Sequence, residues 1–310
     1  MRIGLIDIGS NTTKILIADC LAQSGIQEIA QSTLPCRLIK PNTDETIIGQ
    51  QNIDLLLNCL QKLKDFAESH NSDSIFAVAT EGLRRAGNST EIVDQISSTL
   101  EINLTILSGE QEATGIARGI LADPYLCDCE DFWALDIGGG SLEIIHVVNR
   151  QVKAVKSMPI GAVSLTQQFL QDSSLPYPHQ EIVLMENFIN SQLKKLGKEF
   201  SQPNPLLVGC GGTLVYLRKL LNGEADSPQM TKDGIAKIRQ NLSSKNIEQR
   251  ILEFSELPAD RADIFPAGLL AIECVMNFLG VTQITHSYYN LRHGLISYYA
   301  ENGRLFLETS

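Results

Sequence analysis

The segment Ala134-Leu135-Asp136-Ile137-Gly138-Gly139-Gly140-Ser141-Leu142-Glu143 decides the fold, because Gly4-Leu5-Ile6-Asp7-Ile8-Gly9-Ser10-Asn11-Thr12-Thr13 is built the same way about one domain earlier. In each copy an apolar run delivers an aspartate to a turn of small residues. A second apolar run follows at once, Lys14 to Asp19 in the first and Leu142 to Val148 in the second. The pattern is a β-hairpin with an acidic, glycine-lined tip. Glycines let the backbone approach an anion closely, successive N–H groups can cradle phosphate oxygens, and an aspartate beside them can hold a divalent cation. The pair reads as a two-sided clamp on a phosphate.

Outward from these hairpins, strand patterns alternate with helix patterns, which marks an α/β protein. Gln27 to Leu34 reads as a third strand. Ile53, Leu56, Leu57, Leu60, Leu63 and Phe66 then recur at helical spacing. Ser74 to Ala79 is a buried strand ending at Thr80-Glu81-Gly82-Leu83-Arg84, and Asn88-Ser89-Thr90-Glu91 predicts a capping box opening the next helix. Leu104 to Leu107 is a strand that ends at Ser108-Gly109-Glu110-Gln111-Glu112, where a helix to about Leu121 begins. The polar, turn-rich stretch from Asp123 to Asp131 marks the domain boundary. The second half repeats the order: hairpin, strand Gln151 to Ser157, helices, strand Pro205 to Val208, glycine turn Gly209-Cys210-Gly211-Gly212-Thr213, and a helix from near Leu214. A strand, a glycine loop and a helix N-terminus can bind another anion through backbone N–H groups and the helix dipole. Taken alone it reads equally as a tight turn. Ile264 to Leu279 is an apolar helix and Leu291 to Tyr299 a closing one. The hairpin is the only internal repeat, which suggests a duplicated fold. The expected domains are 1–124, completed by a C-terminal helix over 295–310, and 125–294.

Composition narrows the classes. With 310 residues, 43% of them hydrophobic, the chain can bury two cores. It has no uncharged apolar run near the roughly 20 residues needed to span a bilayer. Met1-Arg2 leads straight into the first strand, so a cytoplasmic protein without a signal peptide is expected. Cysteines at 20, 36, 59, 127, 129, 210 and 274 lack paired spacing, which argues against a disulfide framework or a zinc site, and Cys127-Asp128-Cys129 reads as loop. The five histidines form no metal pair at helical spacing. The net charge of −11 repels polyanions as a whole and argues against a nucleic-acid binder. A phosphate ligand must be drawn by a local basic patch, from Arg84-Arg85, Lys153 with Lys156, Arg218-Lys219, Arg261 and Arg292; most such residues are solvated surface. Aromatic residues are 6%, with one tryptophan, Trp133, so no stacking platform for a base is visible.

Two further stretches narrow the reading, Thr80-Glu81-Gly82-Leu83-Arg84-Arg85-Ala86-Gly87-Asn88 and Leu107-Ser108-Gly109-Glu110-Gln111-Glu112-Ala113. Together with both tips, Gly209 to Thr213, Arg261-Ala262-Asp263-Ile264 ahead of Gly268, and Leu291-Arg292-His293-Gly294-Leu295, they resemble the exopolyphosphatase and guanosine pentaphosphate phosphohydrolase family (Ppx/GppA) in its short two-domain form. The resemblance runs in order from residue 4 to about residue 296. It implies two RNase H-like domains of the actin, sugar kinase and Hsp70 superfamily, facing each other across a cleft. It implies hydrolysis of the terminal phosphoanhydride of inorganic polyphosphate, releasing orthophosphate. Guanosine pentaphosphate 5′-phosphohydrolase, an activity of the stringent response, is the alternative. An ATP-dependent kinase of the superfamily, or a sensor that binds nucleotide or polyphosphate without turnover, are further readings. Polyphosphate leads because a repetitive polyanion needs only a basic channel, whereas guanosine must find an apolar pocket. Monomer or homodimer stays open.

Residue by residue, Glu112 matches the family's catalytic carboxylate, able to activate water, and Arg84 its phosphate-contacting arginine, whose fork suits a phosphate face. Glu110 better fits a first-turn acid complementing the helix dipole. Asp7, Asp136 and Glu143 match the hairpin acids. Carboxylates beside a polyanion imply Mg²⁺ or another divalent cation; otherwise Asp7 and Asp136 cap their turns. Gly9, Ser10, Asn11, Thr12 and Gly138, Gly139, Gly140, Ser141 would supply donors to the phosphate. Gly211, Gly212 and Thr213, with Arg261, would guide the distal chain or nucleotide. Three positions depart from the family pattern: Gln111 where a second acid is common, His293 where an acid follows the arginine, and Cys210 at a position usually small and uncharged.

Overall fold

Runs rich in isoleucine and leucine fold at the N-terminus into an antiparallel meander of β1 (Arg2–Ile8), β2 (Thr12–Cys20) and β3 (Ile26–Pro35). The computed structural model describes residues 1–21, 25–38, 47–200, 206–223 and 227–305. The chain continues through α1 (Gln50–Ser69), β4 (Ser74–Ala79), α2 (Glu81–Arg84), α3 (Ser89–Leu100), β5 (Leu104–Ile106) and α4 (Gly109–Leu121). The sheet order is β3-β2-β1-β4-β5, with β4 parallel to β1 and β5 parallel to β4. One face of α1, with Ile53, Leu56, Leu60 and Leu63, packs with Ile6, Ile8, Ile15 and Ile17 of the strands and Ile92 and Ile96 of α3.

A second meander, β6 (Phe132–Ile137), β7 (Leu142–Val148) and β8 (Gln151–Met158), repeats the first. It is followed by α5 (Ala162–Phe169), α6 (His179–Leu193), β9 (Leu207–Cys210), α7 (Gly212–Asn222), β10 (Gln229–Thr231), α8 (Lys232–Ser243), α9 (Ile247–Glu253), α10 (Phe265–Leu279) and β11 (Gln283–His286). The order is β10-β11-β9-β6-β7-β8, so β8-β7-β6-β9-β11 reproduces the first sheet strand for strand, with β10 added antiparallel at the edge. The duplication extends to irregularities. The register slips between Ile17 and Ala18 on β2 and between His146 and Val147 on β7, at the same distance from each tip. Buried Trp133, Leu135, Ile144, Leu207, Leu214, Phe265 and Leu269 fill the second core.

The chain divides into two compact units, Met1–Pro124 with Tyr289–Ser310, and Tyr125–Tyr288. The return to the first unit thus falls at Tyr289, ahead of the expected 295. The returning helix, α11 (Leu291–Asn302), ends where Gly303 adopts φ 67° as its cap; residues 306–310 lie outside the described residues. It packs backbone to backbone on α4. A methyl group on Gly294 would fall on the Gly115 carbonyl, and one on Gly119 on that of Asn290.

Two local expectations need correction. Asn88 does not cap α3 with its side chain, because its amide is committed to Ile48, accepting from the N–H and donating to the C=O at 3.0 Å each. The strand expected over 205–208 runs Leu207–Cys210, with Pro205 outside the described residues. Among the described residues no helix is long and apolar enough to cross a membrane.

Candidate functional site

In the first unit β1 carries Asp7 to the tip, where Gly9 N–H donates to Thr12 O at 3.1 Å. The segment after β3 straps this tip: Leu38 N–H donates to Ser10 O at 3.2 Å and Cys36 N–H to Asn11 O at 3.1 Å. Because a trans peptide points its C=O and N–H in opposite directions, these bonds turn the Asn11 and Thr12 amides away from the strap. Ser10, Asn11 and Thr12 are all buried. β4 ends beside the tip, with Thr80 N–H bonded to Ile8 O at 3.1 Å, and Gly82 lies against Ser10, so close that a β-carbon there would sit 3.1 Å from its Cα.

This contact sets α2, and with it Arg84, beside the tip. Arg84 Nη1 donates to Leu107 O at 2.8 Å and to Glu112 Oε2 at 2.9 Å, and Nη2 donates to Glu81 Oε2 at 2.7 Å. Burial pushes the guanidinium toward its neutral form. Glu112 and Glu81 more than reverse that, so its pKa lies above the ordinary arginine value. Glu112 stands in the first turn of α4 and is 7% exposed, whereas Glu110 in the same turn is exposed. The turn is fixed by Ser108 and Gln111, each side chain accepting from the other's backbone N–H. Glu81 is the site residue that sequence reasoning misses; its i, i+3 spacing to Arg84 is the available signal.

Asp7 is partly exposed as a residue, but its Oδ1 is closed off from solvent and has no hydrogen-bond partner among the described residues. Burial pushes its carboxyl up, against the pull of Lys14, its register partner on β2, and Arg292. Arg292 is no surface residue: it is buried and donates to Ile15 O at 2.9 Å.

In the second unit Asp136 stands opposite Glu143 across β6 and β7. Glu143 is 1% exposed and accepts from Ser157 Oγ at 2.7 Å. Gly138 N–H donates to Ser141 O at 2.9 Å, and here the strap is the start of α5. Gly161 N–H donates to Gly140 O at 3.2 Å, Ala162 N–H to Gly138 O at 2.9 Å, and Val163 N–H to Gly139 O at 2.8 Å. The tip carbonyls are consumed on the α5 side, which turns the Gly139, Gly140 and Ser141 amides the other way.

The glycine loop before α7 closes on the same hairpin. Gly211, at φ 87°, lies against the Asp136 carboxylate, where any side chain would collide with Oδ1. Gly212 lies under the Arg261 guanidinium, which stacks on the Tyr216 ring at 5.4 Å. The Thr213 hydroxyl donates to Ile137 O at 3.3 Å, so it is spent inside the unit. Arg218, 7% exposed, contacts His286 and lies 4.9 Å over the half-exposed Tyr288 ring. Arg218 and Arg292 therefore leave the expected scatter of solvated charge, while Arg85, Lys153, Lys156 and Lys219 are exposed. Among the described residues no three His, Cys, Asp or Glu side chains gather into a metal cage.

The family model of the Ppx/GppA phosphatases matches residues 16–302. The chain belongs to the Ppx/GppA phosphatase family. It is a phosphoanhydride hydrolase. Exopolyphosphatase 1 of Mycobacterium leprae is 25% identical over 315 residues, covering 96% of this chain and 88% of its own length. Exopolyphosphatase 1 of Mycobacterium tuberculosis H37Rv is 26% identical over 305 residues, covering 96% and 87%. Among solved structures, an exopolyphosphatase from Cytophaga hutchinsonii superposes with a TM-score of 0.89 at 24% identity over 100% of both chains. The Ppx/GppA family member of Aquifex aeolicus gives 0.80 at 23% identity over 98% of this chain and 99% of its own. These likenesses give the fold, an α/β architecture of two domains with the actin-like ATPase topology.

Proposed function

We propose that this Ppx/GppA phosphatase is an exopolyphosphatase that removes the terminal phosphate of inorganic polyphosphate. One observation carries the reading: buried Glu112 and half-buried Arg84 pair at 2.9 Å, beside a hairpin tip whose carbonyls are bonded to the strap and whose amides are turned away from it. The names of the mycobacterial and Cytophaga relatives support polyphosphate as substrate. Glu112 accepts the proton of the attacking water as its oxygen bonds to the terminal phosphorus, and the bridging P–O bond breaks to release orthophosphate. Arg84 spends both Nη1 hydrogens and one on Nη2 within the protein. Its Nε and second Nη2 hydrogen have no partner among the described residues, which suits a phosphate oxygen. The Asn11 and Thr12 amides of the first unit are donors for phosphate oxygens, and in the second unit, taken by itself, the Gly139–Ser141 amides are donors of the same kind, with Arg261, Gly211 and Gly212 for a phosphate chain or nucleotide there.

The residues present fit a divalent cation. In the first unit Asp7 Oδ1 is a buried acceptor lacking a donor among the described residues, and in the second, taken by itself, Asp136 and Glu143 are opposed hard-oxygen groups. Mg²⁺ keeps several waters and needs only one or two carboxylates besides substrate oxygens, so no all-protein cage is required. When bound, the ion would neutralise charge on the phosphoryl oxygens.

Guanosine pentaphosphate is the second reading, favoured by the Arg218–Tyr288 and Arg261–Tyr216 stacks, which offer aromatic faces that composition alone does not suggest. The test is orthophosphate release from long polyphosphate, tripolyphosphate, guanosine pentaphosphate and ATP, each with Mg²⁺ and with chelator. Fastest release from long polyphosphate supports the proposal. Preference for guanosine pentaphosphate overturns it in favour of the second reading.

A further inference from the structure

Arg37 lies between the two strap residues whose N–H groups hold the first tip, and its Nε donates to Asn11 Oδ1 at 2.8 Å. A guanidinium can only donate, so this bond fixes which end of the Asn11 side chain is oxygen and turns Nδ2 the other way. Asn11 is 7% exposed, and its Nδ2 is buried with no hydrogen-bond partner among the described residues. A buried amide left without an acceptor forfeits its hydration for nothing, a cost native proteins rarely retain. The unused donor sits in the tip whose backbone amides are already turned away from the strap. The equivalent position in the second tip is Gly140, which has no side chain to offer.

We infer that Arg37 is a positioning residue for substrate: it orients the Asn11 amide so that Nδ2 donates to an oxygen of the phosphate held by the first hairpin tip. The inference rests on the reading of that tip as a phosphate site and adds to it a side-chain donor and the residue that aims it. Asn11 touches the phosphate; Arg37 acts only through Asn11. An amide N–H held in one orientation can only donate, so it favours an oxygen acceptor and disfavours a cation at that point.

The test is calorimetric titration of the full chain with imidodiphosphate and Mg²⁺, a probe that needs no turnover, using Asn11→Ala, Arg37→Met, Arg37→Lys and the double variant Asn11→Ala/Arg37→Met. Asn11→Ala and Arg37→Met should each weaken binding about tenfold. The double variant should bind no more weakly than Asn11→Ala, because Arg37 has nothing left to orient. Arg37→Lys should keep most of the affinity, since an ammonium still donates to Oδ1. Losses that multiply in the double variant would make Arg37 a direct charge on the ligand and overturn the inference, as would parental affinity in Arg37→Met or no binding by the parent. Melting curves on the same samples separate a damaged fold, and Arg37→Lys and Asn11→Ala decide the matter should Arg37→Met not fold. If the parent binds imidodiphosphate with this coupling yet releases phosphate from no anhydride, the exopolyphosphatase reading fails while this one stands.

Discussion

Arg84 is held from three sides, and its chemistry depends on which N–H groups that leaves for a ligand. Replacing it with lysine keeps the charge but cannot bridge Leu107 O, Glu112 and Glu81 at once. Arg84→Lys should raise KM for the best anhydride substrate by roughly tenfold; an unchanged KM and kcat in steady-state phosphate release would remove it from the site. His293 is the second residue to test. Its Nδ1 accepts the Asn290 N–H at 3.2 Å, which puts the proton on Nε2, 3.4 Å from Glu28 Oε2. Burial and then Arg292 hold its pKa below the ordinary histidine value, against Glu28 and Asp123, with the Tyr289 ring packed beside it. As pH falls below about 6.5, the unfolded chain takes up this proton first and stability is lost. His293→Gln keeps an acceptor at the same point of the helix and removes the titration. The drop in urea midpoint between about pH 7.5 and about pH 5.5 should therefore be smaller than in the parent. An equal drop would place the titration elsewhere.

At the scale of elements, hairpin tips and long helices are legible in the sequence, as are the starts of α4, α10 and α11, whereas the cap of α3 is not. Asn88-Ser89-Thr90-Glu91 has the form of a capping box and does not act as one, because Ile48, distant in sequence, captures the Asn88 amide. Gln111 and His293 have the look of lost acids. Each instead occupies the third position of its helix and completes a capping box, with Ser108 on α4 and Asn290 on α11, a job that a glutamate would share. Nothing in the sequence singles out Arg250, which the structure places on α9. It is fully buried, donating to the carbonyls of Leu242, Ser173, Leu175 and Ala262. Tyr177 donates to Asp263 O at 2.6 Å beside it, so the pair pins the segment that carries Arg261. Arg250→Met leaves those carbonyls without a donor and should cost about 3 kcal/mol or more in chemical denaturation, with weaker substrate binding in whatever fraction folds. Loss below about 1 kcal/mol would mean water replaces the guanidinium freely.

For the whole molecule, the repeated hairpin is enough to announce a duplicated α/β fold, because an acidic glycine turn between two apolar runs constrains backbone and chemistry together. The edge strand β10 and the short β11 escape notice, since three or four residues are too few to establish a period. Glu81 and Arg37 escape for a different reason. Their importance lies in what they hold, and only the folded chain shows the partner. If a divalent cation is part of the chemistry, chelation should abolish phosphate release and added Mg²⁺ should restore it; release that persists in chelator would remove the cation from the mechanism. Above all, turnover is proposed to depend on Glu112 as the base, and binding is not. Orthophosphate release by Glu112→Gln, measured alongside its affinity for imidodiphosphate, addresses this dependence without intermediaries. A rate lower by about 10²- to 10⁴-fold with affinity kept is the expected result; a rate equal to that of the parent would show that Glu112 is not the base.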